Sequence, residues 1–371
     1  MDTSDPNIEF NNLGQCNHCQ GAIKMLNSGL FSFSREQKEE ALKRLVFRIK
    51  KERRKNYDCI IGLSGGVDSS YVALYVKQLG LTPLAVHLDN GWNSEIAVQN
   101  IENVCRNLDI DLYTCVLNWE EFKDLQLAFL RSSTPDSEIP SDHAIYSSMF
   151  RAAQKEKVRY VITGFNRTSE SILPEAWSLG HYDWKYIKSV HKLFGSGKLS
   201  NFPHYAFIPF FYRWLFKSFV PGIKMINILD YLKYDKYKAK ETITKELGWI
   251  DYGLKHYESN YTKIYQAYIL PQKFGFDKRR AHFSSLICSG SITREQAIDE
   301  LKLPLYDSDK LRIDLKYLCN KFEISLDEFN EIMKLAPRNF ADYPSYANSL
   351  LFKLSSLPLR PLNKLLKLIR K

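Results

Sequence analysis

The chain has 371 residues, 44% of them hydrophobic and 25% charged, with a formal net charge of +10. That balance is ordinary for a globular protein large enough for two domains, or for one with insertions. The positive charge favours an anionic partner (nucleotide, sugar nucleotide, nucleic acid or membrane surface) without choosing among them.

In chain order, residues 1–34 form a short cysteine-bearing segment, and 35–55 read as a basic amphipathic helix. Asp58-Cys-Ile-Ile-Gly-Leu63 is a short apolar run, predicted as a buried strand, and a glycine loop follows it. A helix is expected from Ser69 to the glycine cap at Gly80, a strand over 83–88, a helix over 94–108 and a strand over 112–117. A further helix is expected over 142–157 and a strand over 160–163. Strands alternating with helices of this length imply βαβ units and a mostly parallel sheet, which binds ligands at the carboxyl ends of its strands. The loops 64–69, 89–93 and 164–170 all fall there.

Beyond that core, 176–220 is rich in aromatic and basic residues and reads as an insertion or lid. Lys224 to Asp230 suits a fifth strand, and 236–335 looks mostly helical. The expected divisions are 1–55, 56–175, 176–223, 224–344 and a basic tail, 345–371. No run of about 18 apolar residues suits a membrane span. The acidic, polar start MDTSDPNIEFNN does not read as a signal peptide. Seven scattered cysteines argue against a secreted disulfide framework. The expectation is a cytoplasmic enzyme.

The chemistry concentrates in Ser64-Gly65-Gly66-Val67-Asp68-Ser69-Ser70, between a predicted strand and a predicted helix. Gly65 and Gly66 let the backbone curl with its N–H groups inward, and Ser64, Ser69 and Ser70 add hydroxyl donors. The helix that follows supplies a positive N-terminal end, so the loop is a cradle for pyrophosphate. Asp68 is placed to help hold Mg²⁺. By contrast, Gly195-Ser-Gly-Lys-Leu-Ser200 only imitates a Walker loop, because Lys192 and Leu199 stand where a glycine and a hydroxyl residue are required.

The heptapeptide resembles the SGGxDS signature of PP-loop (N-type) ATP pyrophosphatases. That resemblance implies an α/β parallel-sheet core of the adenine nucleotide alpha hydrolase-like, Rossmann-like kind, with an N-terminal cysteine segment and a mostly helical C-terminal region. It also implies cleavage of ATP between the α- and β-phosphates. In such enzymes the loop of Asp89, Asn90 and Gly91 meets adenosine. Gly164 and Asn166 lie near the phosphates, and Glu170 near Mg²⁺.

Longer stretches resemble the bacterial N-acetyl sugar amidotransferases of surface-polysaccharide and nonulosonic-acid (pseudaminic- or legionaminic-acid type) biosynthesis. These are MDTSDPNIEF, YDCIIGLSGGVDSSYVALYVKQLGLTPLAVHLDNGWNSE, EEFKDLQLAFL, EIPSDHAI, TSESILPEAW, GWIDYGLKHYES and DKRRAHFSSLICSGSITREQA, between about residues 2 and 346. The resemblance implies an acetamido oxygen attacking the α-phosphorus of ATP, an O-adenylyl imidate, and its displacement by ammonia to an acetamidino sugar. Lys278 and Arg279 are the catalytic candidates for charge stabilisation, with Arg280, Lys255 and His256 for the substrate. Asp124 and Gln126 are weaker candidates. Asp142-His143 is either a proton-handling pair or, preferred, a helix N-cap and its neighbour.

No Gly-x-Cys-x-Gly occurs, so no glutaminase is expected in this chain; the resemblance implies ammonia from a separate glutaminase with a cyclase-like partner. Cys16 and Cys19 have the spacing of half a zinc site. The family has a second such pair before the MDTSDP segment. Here Cys288 or His18 could complete the set, or the pair are free thiols. PP-loop enzymes that thiolate tRNA or make lysidine are the alternative reading, although no nucleic acid partner is expected. The tail from Leu357 could lie on an anionic membrane, dock a partner or stay disordered.

Overall fold

Cys59, Ile60 and Ile61 are buried on both faces, the environment of a central parallel strand. The computed structural model describes residues 1–205, 222–253 and 258–349. Its five-stranded sheet has the order β3-β2-β1-β4-β5, with every pairing parallel. The strands are β1 (Cys59–Gly62), β2 (Pro83–Asp89), β3 (Asp111–Val116), β4 (Tyr160–Thr163) and β5 (Lys224–Asn227). Each lies within a residue or so of its expected position, except β5, which turns into a 3₁₀ segment at Ile228.

Helices α1 (Asn17–Leu26) and α2 (Arg35–Lys51) precede the sheet. One face of the sheet is covered by α2, α3 (Val67–Gln78), α4 (Glu95–Leu108) and, later, α9 (Lys236–Leu247). The other face carries α6 (Ile139–Lys155), whose Met149, Phe150 and Ala153 pack on Ile60, Val86 and Val161. Helix α6 leads into β4, so its N-terminal turn lies at the carboxyl ends of the strands. Asn90, just past β2, donates to Ser141 there at 3.2 Å.

Helix α5 (Trp119–Ser132) was not expected. Phe122, Leu125, Leu127, Phe129 and Leu130 are all buried, so the helix is covered almost all round. It packs on α8 (Trp184–Phe194) inside the segment read as a lid. The described part of that segment is core: Trp177, Trp184, Tyr186 and Phe202 are buried. Residues 206–221 lie outside the described residues.

After α7 (Arg167–Glu170) and β5, the chain is helical, as expected. It runs through α10 (Asn260–Ile264), a π-helix (Tyr265–Phe274), α11 (Lys278–Cys288), α12 (Arg294–Lys302), α13 (Ser308–Phe322) and α14 (Leu326–Lys334). These helices dock on the β2 end of the sheet through Trp92, which packs on Tyr261 and Phe322. No described helix is long and apolar enough to cross a membrane. Of the basic tail, residues 350–371 lie outside the described residues.

Candidate nucleotide site and an adjoining charged cluster

The loop after β1 is built around its two glycines. Gly65 has φ +78°, and a Cβ there would lie 2.4 Å from the Ala97 carbonyl oxygen. At Gly66 a Cβ would come within 3.3 Å of the Tyr252 phenol. The Gly65 carbonyl accepts from the buried Trp249 indole at 2.9 Å and from Asn100 at 3.4 Å. Helix α3 starts at Gly66 without a side-chain cap, and Ser64 and Ser69 hydrogen-bond each other at 3.1 Å across the turn. Ser70 departs from expectation: it is fully buried one turn into α3, too deep to serve as a phosphate donor.

Asp68 accepts from the Tyr234 phenol and lies 3.7 Å from the Lys236 ammonium. Burial, then Asp68, and further along Glu170, push the Tyr234 phenol well up, and the Glu170 carboxylate accepts from the Asn166 nitrogen at 3.4 Å in the loop after β4. Gly164 lets β4 end against this turn, because a Cβ there would sit 3.2 Å from the Ser69 nitrogen. Two carboxylates beside a phosphate loop are the donor set Mg²⁺ takes when phosphate and water oxygens complete its shell. Asn166 is buried, and its amide oxygen caps α7 by accepting from Thr168 at 3.0 and 2.7 Å, which leaves its amide N–H₂ end to meet a phosphate.

After β2, Asp89 accepts from the Gly91 nitrogen at 2.9 Å and Asn90 from the Trp92 nitrogen at 3.1 Å. Lys321, from α13, donates to the Gly91 carbonyl. Its ammonium sits 4.8 Å from the Trp119 ring, 5.0 Å from Trp92 and 5.6 Å from Tyr317.

A second set of charges lies at the start of α6. Asp136 is buried. It accepts from Ser178 and lies 3.3 Å from His181, which lies 3.2 Å from Asp142. Burial opposes the charge on His181, but its two aspartates overcome that and raise its pKa to about 10. Glu138 accepts from Thr262 at 2.5 Å and Gln266 at 3.1 Å, with the Lys278 ammonium at 3.7 Å. Burial raises the Glu138 pKa, against the pull of Lys278.

Several expected roles change. Lys278 alone of its triplet joins this cluster. Arg279 is clamped by Asp277 and by the Glu300 and Leu303 carbonyls at the end of α12, and Arg280 pairs with Asp2 at 3.0 Å. Asp142 is not a cap, since Glu138 holds the N-cap position and Asp142 faces His181. His143 is a core histidine, donating to the His181 carbonyl at 2.7 Å, and burial lowers its pKa to about 4. Asp124 fills the Walker-like turn, accepting from Ser196 and Gly197 as well as His191, and Gln126 holds the Trp92 indole. Lys255 and His256 lie outside the described residues.

Cys288 does approach Cys19, and Cys16 accepts from the Cys19 nitrogen at 3.4 Å. Even so, among the described residues no group of three His, Cys, Asp or Glu is disposed to hold a metal ion, and Asp5 occupies the His18 ring at 2.5 Å. The zinc expectation therefore has no support.

The sequence reading missed Trp249, Tyr234, Lys236 and Lys321. Each acts from outside the motif it supports, so only the fold brings it there.

Residues 57–172 match the tRNA methyl transferase HUP domain, and residues 258–356 match the C-terminal domain of the LPS biosynthesis protein WbpG-like family. An uncharacterized protein of Methanocaldococcus jannaschii is 26% identical over 72% of this chain and 80% of its own length. The glutamine-hydrolyzing GMP synthase of Fusobacterium nucleatum is 32% identical, over 33% of this chain and 25% of that enzyme. A solved structure, the NH3-dependent NAD synthetase of Campylobacter jejuni, aligns with 37% of this chain and 59% of that one at 16% identity, with a TM-score of 0.29. The glycine loop at the head of the parallel sheet thus lies in the region similar to the HUP domain, and the helices that follow β5 include the region similar to the WbpG-like C-terminal domain.

Proposed function

We propose that this protein activates an amide of an N-acetyl sugar with ATP and replaces the amide oxygen with nitrogen. The carrying observation is the union of two parts on one edge of the sheet. A tight glycine loop after β1, whose curl suits a diphosphate, is followed by a WbpG-like region whose Lys278 lies 3.7 Å from Glu138 at the start of α6.

An amide carbonyl is a poor electrophile, and its oxygen a poor leaving group. Adenylylation turns that oxygen into a phosphate ester that can depart. The loop N–H groups and the α3 terminus hold the leaving pyrophosphate, and Lys236 neutralises charge beside Asp68. Asp68 and Glu170 are the residues that would hold Mg²⁺, which supplies charge neutralisation on the phosphates. Asp89 and Asn90 shape the loop that faces adenosine. Ammonia reaches the imidate from a separate glutaminase, and AMP leaves. The sugar belongs to a surface glycan such as lipopolysaccharide O-antigen, and its carrier is a nucleotide or none.

The test combines protein, ATP, Mg²⁺, ammonium and candidate acetamido sugars. AMP with pyrophosphate, and a sugar whose mass changes by replacement of O with NH, support the reading. ADP formation, or AMP formed only with tRNA, overturns it.

A further inference from the structure

The charges at the start of α6 do not balance. Three carboxylates converge there: Asp136, Glu138 and Asp142. Two cations face them, His181 between the aspartates and Lys278 beside Glu138. With all three carboxylates ionised the group is one positive charge short. Burial of the Glu138 carboxyl favours its neutral form, the form that would remove the deficit. The other groups facing Glu138 are uncharged hydrogen-bonding residues, Thr262 and Gln266, together with the phenols of Tyr261 and Tyr265.

The position of the cluster gives this deficit a use. Ser141, next to Asp142 in the first turns of α6, accepts from Asn90 in the loop after β2 at 3.2 Å, at the carboxyl ends of the strands. The cluster therefore adjoins the candidate nucleotide site. Its members come from the HUP region, from Ser178 and His181, and from the WbpG-like helices, so it forms only when all three meet. Asp142 opens it to solvent, with a side chain 42% exposed, whereas Glu138 lies deeper at 13%.

We propose that the cluster binds one ammonium ion in place of the proton of Glu138, and that the ionised Glu138 then takes a proton from it, releasing ammonia next to the activated amide. This rests on the amidation reading above. The step balances: the proton displaced from Glu138 when ammonium binds passes to solvent, and NH₄⁺ and the carboxylate then become NH₃ and a carboxylic acid, with total charge unchanged in that transfer. The ammonia nitrogen then bonds to the imidate carbon, and the carbon–oxygen bond to AMP breaks. The ammonium nitrogen loses its proton to Glu138, because Lys278 and His181 already carry theirs and Asp136 and Asp142 both face the His181 cation.

The test uses the full chain with an acetamido sugar that supports pyrophosphate–ATP exchange, which reports adenylylation before any nitrogen enters. Glu138→Gln should leave exchange intact and lower kcat/KM for ammonium by about 100-fold, the scale of a lost general base. Hydroxylamine, already neutral at pH 7, should restore turnover. Asp142→Asn, at the exposed rim, should raise KM for ammonium several-fold with little effect on hydroxylamine, and it reads the same step should Glu138→Gln fold poorly. Equal losses with both nucleophiles, or none with either, overturn the proposal. If the wild type shows no exchange with any acetamido sugar, the amidation reading itself falls, whereas intact exchange with unaltered ammonium kinetics sinks only the role of Glu138.

Discussion

The Trp249 indole donates to the Gly65 carbonyl at 2.9 Å, fixing the first glycine of the phosphate loop from a residue 184 positions away. Asn100 shares that acceptor and also holds the Ile250 carbonyl at 2.8 Å. Losing one partner of a buried acceptor costs about 1–3 kcal/mol. Trp249→Phe, which keeps the ring, should therefore raise KM for ATP by about 5-fold or more while leaving kcat nearly unchanged. Gly65→Ala should do far more, because its Cβ meets the Ala97 carbonyl and its φ is positive. Loss of soluble folded protein or of all nucleotide binding is the expected readout.

Asp68 is occupied at rest by the Tyr234 phenol and by Lys236. A cation arriving with ATP must compete with that phenol. A hydrogen bond to a charged group contributes about 1.5–3 kcal/mol, so Tyr234→Phe should lower the Mg²⁺ concentration for half-maximal exchange by several-fold. Asp68→Asn should abolish exchange, and Glu170→Gln should raise the Mg²⁺ requirement. A Tyr234→Phe enzyme with an unchanged Mg²⁺ titration would show that the phenol does not compete.

Lys321 makes the loop after β2, the proposed nucleotide-facing loop, depend on the C-terminal helices. Its ammonium bonds the Gly91 carbonyl within a cage of Trp92, Trp119 and Tyr317. Cation–π contacts contribute about 0.5–2 kcal/mol each. Lys321→Met keeps the length of the side chain and removes the charge. It should raise KM for ATP several-fold and change the fluorescence of Trp92 and Trp119, with only a small drop in melting temperature.

The parallel sheet was legible because short apolar runs and glycine-bounded helices alternate from Asp58 to Thr163. The tight glycine turn after β1 was legible because its glycines, serines and Asp68 are contiguous. What stayed hidden is long-range. Trp249 reads as one more apolar residue until α9 packs beside α3. Lys278 and Arg279 are neighbours in sequence, yet the helix sends one to Glu138 and the other to the end of α12. Ser70 illustrates the converse, since motif membership promised a donor and the helical turn buried it.

The cluster at α6 also predicts how stability changes with pH. His181 titrates near 10 in the folded protein against 6.5 for a free imidazole, because Asp136 and Asp142 hold its proton against the cost of burial. A folded pKa above the unfolded one stabilises fully below pH 6.5, and that contribution fades as pH rises toward 10. Glu138, raised above 4.5, acts in the same direction and begins to lose its contribution from that pH upward. Asp136 acts in the opposite direction: burial works against it, but its bonds and the nearby cations lower it below 3.8, so its share is lost as pH falls below that value. From this cluster, stability should peak on the acid side of neutrality and decline toward pH 10. His181→Gln should lose most near pH 6 and little at pH 10, narrowing the gap to wild type as pH rises. Thermal unfolding of both proteins across pH 5–10 measures this, and a gap that stays constant or widens with pH would show that His181 is not held as a cation between the two aspartates.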